Sequence, residues 1–181
     1  FAWRSPRFLR YLESAARSSG GIGERMSVLK NKRRESPFEV FAHGYRLRRS
    51  ITDLLLRDFG YKHKVREHET ERQQERRKAF EIWFLQKHRE YILDTLRNLM
   101  REINWANKMY PTNLRELEAR RLHQDNALAE CSNLSQELQY IIETLPVNID
   151  RYLPFDALIQ RQIVLIKAWR KSDNKYKAKL N

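Results

Sequence analysis

Five histidines, a single cysteine and 23 carboxylates are the side chains of this sequence with catalytic or metal-binding chemistry to offer, and spacing decides how much of it they can perform. His43, His63, His68, His88 and His123 form no i, i+3 or i, i+4 pair, which excludes the simplest helical zinc arrangement. Glu116 and Glu118 stand among Arg115, Arg120 and Arg121, a pattern of surface pairing rather than of paired acid–base catalysis. Cys131 lies between Glu130 and Ser132 on an apolar stripe with no second thiol, so it reads as a core residue of a protein from a reducing compartment. Gly20-Gly21-Ile22-Gly23 lacks the Lys-Ser/Thr of a phosphate-cradling loop and reads as a linker. The expectation is a protein that is not an enzyme and holds neither cofactor nor metal.

What remains is positive charge. Across 181 residues, 36 Lys and Arg stand against 23 Asp and Glu, a net charge of +13 that calls for an anionic partner. The excess is N-terminal: residues 1–78 hold 20 basic and 10 acidic side chains. Lys30, Lys32, Arg33 and Arg34 crowd a leader, and Arg46, Arg48 and Arg49 crowd the first long helix. Neutralising phosphates with such clusters releases condensed counterions, so RNA or DNA binding should depend steeply on salt. At 100° per residue, Arg46, Arg48 and Arg49 cannot share one direction, which suits a broad surface rather than base readout. Among the aromatics, Trp83 and Trp105 fall off the apolar stripes and are candidates for a subunit contact.

The elements that must carry these residues are helices. Five glycines, five prolines and a mean hydropathy of -0.79 leave few turns and much solvated surface. Ser36-Pro37 marks a helix start, and Phe38, Phe41, Tyr45, Leu47, Ile51, Leu54, Leu55 and Phe59 recur at helical spacing up to Gly60. Gly44 within it permits close packing. Lys64 to Lys78 is almost wholly polar and reads as a solvated lead-in. A second stripe then runs from Phe80 through Ile92, Leu96, Leu99 and Ile103 to Tyr110 and ends before Pro111. Asn113 and Glu116 form a capping-box-like start for a third helix, whose stripe steps through Leu117, Arg121, Gln124, Leu128, Cys131, Ser135, Leu138 and Ile142 until Pro146. A fourth, entered near Asp150 or Pro154, carries Phe155, Ile159, Gln162, Ile166 and Trp169 before a basic tail. Short connections favour an all-α, antiparallel up-down-up-down four-helix bundle over 36–175, with a basic N-terminal extension, 1–35, and a basic tail, 176–181. No apolar run approaches the roughly 18 residues of a membrane span, so a soluble, cytoplasmic protein with no membrane partner is expected.

Within Asn104 to Asn174, the segments Trp105-Ala106-Asn107, Tyr110-Pro111-Thr112, Arg120-Arg121-Leu122-His123-Gln124, Gln136 to Ile142, Leu145-Pro146-Val147 and Ile163 to Asn174 carry a family resemblance. The chain resembles the accessory variability determinant proteins of diversity-generating retroelements. That resemblance implies a four-helix bundle assembled as a basic homopentamer. It would bind a reverse transcriptase and a structured template RNA, with the complementary DNA as a further ligand, and support mutagenic complementary-DNA synthesis without catalysing it. It also implies RNA or polymerase contacts at Arg120, Arg121, Lys167, Arg170 and Lys171. Residues 1–25 and the charged segment 62–78 depart from the family pattern. The competing expectation is a general RNA- or ribosome-associated basic four-helix bundle with no polymerase partner.

Overall fold

Helix α1 (Glu39–Leu56) begins without a side-chain cap: the extended Phe38 offers only its carbonyl, which accepts from the amides of Phe41 and Ala42, each at 3.1 Å. The computed structural model describes residues 38–62 and 66–180, so the Ser36-Pro37 start signal lies outside the described residues. α1 also ends short of Gly60. A single 3-10 turn, Asp58–Gly60, follows it, and Asp58, Phe59 and Gly60 all take positive φ, at 48°, 58° and 70°. Left-handed backbone costs about 1–2 kcal/mol at a non-glycine residue. Two residues bear that cost, and burial of the Phe59 ring, worth about 1.5–3 kcal/mol, offsets much of it, since that side chain is fully buried and its carbonyl accepts from the Tyr152 hydroxyl at 2.8 Å.

Helix α2 (Glu71–Lys108) spans 38 residues and starts inside the segment expected to be a lead-in. The reason is local. Thr70 and Gln73 form a reciprocal capping box, with the Gln73 amide donating to Thr70 Oγ1 at 3.4 Å and the Thr70 amide to Gln73 Oε1 at 2.9 Å. Arg77 then joins two carboxylates, donating to Glu69, just ahead of the N-cap, at 2.8 Å and to Glu81, one turn on, at 3.0 Å. The buried stripe is Leu85, Ile92, Leu96, Leu99, Ile103 and Ala106. Phe80 and Tyr110, expected at its two ends, are exposed.

Helix α3 (Leu114–Thr144) has the expected cap, the Glu116 amide donating to Asn113 Oδ1 at 2.9 Å. The reciprocal half closes one residue upstream of the expected place. The Glu116 carboxylate accepts from the Thr112 amide and hydroxyl, both at 2.8 Å, and these two bonds hold its pKa below the ordinary value. Its buried face is Leu117, Arg120, Gln124, Ala127, Cys131, Leu134, Leu138 and Ile141, rotated from the expected stripe. Arg121, Leu128, Ser135 and Ile142 become flanks. The alternating three- and four-residue step from Leu117 passes through Arg120, which a search for apolar side chains steps over.

Helix α4 (Leu153–Ser172) follows a 3-10 turn, Ile149–Arg151, and has Pro154 in its first turn. Where a basic tail was expected, the chain bends at Asp173 and continues as a short helix, α5 (Asn174–Leu180). Pro37–Asn181 forms one compact unit. Among the described residues there are four long helices and no strand. α1 packs on α2 and α4, and α3 on α2 and α4, around Leu47, Ile51, Ile92, Leu99, Ile103, Leu134, Ile141, Ile159 and Ile166, all buried. At Gly44 the helices approach so closely that a Cβ would stand 2.9 Å from Met100 Sδ and 3.5 Å from both Gln162 Nε2 and Ile103 Cδ1. The expected close packing at Gly44 is therefore present.

Candidate nucleic-acid and partner surfaces

Basic side chains serve as ligand contacts only when they reach solvent, and burial divides the expected set. Lys30, Lys32, Arg33 and Arg34 lie outside the described residues. Arg46 and Arg49 are exposed on α1, and Arg48 is half-buried at the edge of a shallow recess shared with α2. Lys167 and Lys171 are exposed near the end of α4. Arg170 is half-buried and donates to Asp125 of α3 at 2.9 Å, while Arg121 donates to Asn174 at the start of α5 at 2.7 Å. These last two tie helices together as well as facing solvent.

Arg120 is the correction. It is 7% exposed, and its guanidinium is engaged inside the bundle. Nε and Nη2 donate to the two carboxylate oxygens of Asp173 at 2.7 and 3.2 Å. Nη1 donates to the carbonyls of Ala106 and Met109 at 3.0 and 2.6 Å, satisfying acceptors that the end of α2 leaves without helical partners. The group also lies 5.0 Å from the Trp169 ring centroid and 5.9 Å from that of Tyr176. Gln124 Nε2 completes the arrangement by donating to Asp173 at 2.8 Å. A guanidinium so occupied holds α2, α3, α4 and α5 at one end of the bundle and does not meet an external phosphate.

Asp173 was missed, although the pattern carried a signal. Ile159, Gln162, Ile166, Trp169 and Asp173 continue one three-and-four-residue stripe, so a carboxylate and Arg120 stand on the inward faces of two neighbouring helices. Tyr176, three residues further, extends it and meets Tyr110 edge-on at 5.7 Å. Lys175, Lys177 and Lys179 of α5 are all exposed, Lys175 and Lys179 on one side of the short helix and Lys177 on another, so this basic segment is a docked helix.

Three histidines bridge helices in separate pairs. His43 Nδ1 lies 2.8 Å from Gln162 Oε1, while Gln162 Nε2 donates to the Val40 carbonyl at 3.1 Å. His88 pairs with Glu137 at 2.7 Å, and His123 with Glu102 at 2.7 Å. Burial alone would raise the Glu102 carboxyl, but bonds from His123, Asn126 and Arg101 outweigh it and lower its pKa below 4.5. Burial, reinforced by the charge of Glu130, pushes the Cys131 thiol up to about 12. Among the described residues, no three His, Cys, Asp or Glu side chains come together in a way that could hold a metal ion. Among them also, no helix is long and apolar enough to cross a membrane.

Trp83 and Trp105 are both about half exposed. Trp83 sits beside Phe80, ring centroids 5.7 Å apart, and Trp105 meets His123 edge-on at 5.3 Å. Compared with known proteins, no family model matches the chain, and neither a curated protein nor a solved structure matches it.

Proposed function

We propose that this chain is a non-catalytic accessory protein of a diversity-generating retroelement, one that binds the reverse transcriptase and its template RNA during mutagenic complementary-DNA synthesis. The observation that carries the reading is the division of the basic side chains. Arg46, Arg49, Lys167, Lys171, Lys175, Lys177 and Lys179 stand exposed on helices whose interior is closed by apolar packing and by the Arg120–Asp173 cluster. Such a surface attracts polyanions without any reacting group of its own. The family resemblance over Asn104 to Asn174 supplies the identity of the partner, and the net charge of +13 agrees with it.

In this reading the four long helices run up-down-up-down. The pairings of Glu102 with His123 and of His88 with Glu137 support the opposed sense of α2 and α3. The bundle works as a basic homopentamer in the cytoplasm, and Lys30, Lys32, Arg33 and Arg34 add to its RNA surface. Arg120 leaves the set of RNA contacts and becomes a structural residue.

Native mass spectrometry of the chain purified from cells without nuclease treatment tests this directly. The expected product is a ring-sized assembly carrying RNA or polymerase. A bare monomer of 22.0 kDa would sink the pentamer. Equal affinity for unrelated structured RNAs, with no reverse transcriptase retained, would favour a general RNA- or ribosome-associated bundle instead. Reversing Lys30, Lys32, Arg33 and Arg34 to Glu is expected to preserve the helical circular-dichroism signal while weakening RNA binding. Unchanged binding at moderate salt would remove that cluster from the surface.

A further inference from the structure

Tyr45 is placed where an interior aromatic would not be. It stands on α1 at 61% exposure, and no ring of the described residues stacks on it. Around it lies a recess of about 330 Å³ between α1 and α2, bordered by Arg48, Arg97 and Arg101, with the Asn104 amide at one end. Phe41 and the buried Met100 supply its apolar lining, and nearby Gly44 lets α1 approach Met100 closely.

The register of the two helices makes this a designed-looking constellation from ordinary helical spacing. Phe41, Tyr45 and Arg48 repeat at i, i+4 and i+7 along α1, and Arg97, Arg101 and Asn104 repeat at the same intervals along α2. Arg97 and Arg101 are thus one turn apart, about 6 Å along the axis. The acids nearby do not cancel them. Asp94 pairs with Arg97 at 2.8 Å, but both side chains are more than 60% exposed, and an ion pair of that kind exchanges readily for a phosphate. Glu102 lies 3.3 Å from Arg101 Nε, yet it is mostly buried and already accepts from His123 and Asn126.

An exposed aromatic face beside two guanidiniums at helical pitch matches one kind of occupant. Every base has a π-face that stacks on an aromatic ring whatever its sequence, and arginines neutralise the backbone on either side. A double helix, whose bases are already stacked, cannot use Tyr45. A purely electrostatic surface would have no need of it.

We propose that the α1–α2 recess is a stacking site for an unpaired nucleotide of single-stranded RNA, with Tyr45 taking the base and Arg97 and Arg101 the flanking phosphates. This rests on the RNA-binding reading above and narrows it to single-stranded RNA at a defined place.

The test is fluorescence anisotropy of the full chain with a short labelled oligoadenylate and with an abasic ribose–phosphate oligomer of equal length and charge, across a salt series. The unmodified chain is expected to bind the oligoadenylate about tenfold more tightly than the abasic oligomer. Tyr45→Ala should abolish that preference while leaving abasic binding unchanged, and Tyr45→Phe should retain it. Replacing Arg97 and Arg101 with Gln should reduce the slope of log affinity against log salt by roughly 1.4, the value for two phosphates on a single strand. Equal binding of the two oligomers by the unmodified chain overturns the proposal. So does Tyr45→Ala with its preference intact and its helical circular-dichroism signal retained. Either result leaves the adaptor reading standing, whereas failure of the unmodified chain to bind any RNA removes both.

Discussion

Arginines of similar chemistry do opposite work around the C-terminal third of α2. Near its C-terminus, the Arg120 guanidinium is enclosed by Asp173, two main-chain carbonyls and two aromatic rings. Earlier along α2, Arg97 and Arg101 stand more than half exposed beside the exposed Tyr45. The difference lies in what the neighbouring helix offers. At the closed end α4 and α5 bring a carboxylate that is 1% exposed, so the charge is compensated inside. Across the α1–α2 face the partners are the exposed Asp94, 2.8 Å from Arg97, and Glu102, which Arg101 shares with His123 and Asn126, so compensation there is partial.

The most forceful way to break the contrast is to remove one partner at the closed end. Asp173→Ala strands the Arg120 charge in the interior and is expected to cost about 3–5 kcal/mol, read as a lowered midpoint in urea denaturation. A paired Arg120→Met, Asp173→Leu exchange should recover most of that loss. A double variant as unstable as the single would show that packing, rather than uncompensated charge, dominates there.

The open face is sensitive to shape instead. Gly44→Leu drives side-chain atoms into Met100 and Gln162, and overpacking of this kind costs about 1–3 kcal/mol. It should also deform the recess, so oligoadenylate affinity and urea midpoint are expected to fall together. Gly44→Ala should do far less, because helix propensity gained offsets part of the contact with one flexible thioether.

Smaller still is the effect of acid on Glu102, which links α2 to α3. A carboxyl whose folded pKa is lowered contributes stability that is present above its unfolded value, near 4.5, and is lost as pH falls through the folded one. Glu102→Gln should therefore lower Tm at pH 7, with the gap to the unmodified chain narrowing below pH 4.5. A constant gap across that range would place the stabilisation in hydrogen bonding alone. At the bottom of the scale, converting Arg49, Lys167 and Lys171 to Gln should shift stability by no more than about 0.5 kcal/mol each while flattening the salt dependence of RNA binding.

Much of the helical framework was legible because its determinants are local. The stop before Pro111, the Asn113 cap, the end at Pro146 and the entry at Pro154 each depend on residues within a turn of the boundary. The Thr70 capping box was equally local, but the run of alternating charge from Glu67 to Arg77 obscured it. The surface set was legible only in part. Arg46, Arg49, Lys167 and Lys171 are exposed, while Arg120, unlike its neighbour Arg121, falls on the three-and-four-residue step from Leu117 and turns inward to Asp173, 53 residues away.

The sequence by itself determined that this protein is basic and helical, with an apolar stripe on each long helix, because charge and hydrophobic periodicity are properties of the chain before it folds. The tertiary structure decided what each inward charge meets. It set the rotation of α3 that buries Arg120, the bend at Asp173 that docks α5, and the approach of α1 and α2 that leaves Tyr45 in one recess with Arg48, Arg97 and Arg101. Whether a guanidinium is a strut or a ligand depends on the solvent and acceptors around it, and those are brought by helices distant in sequence.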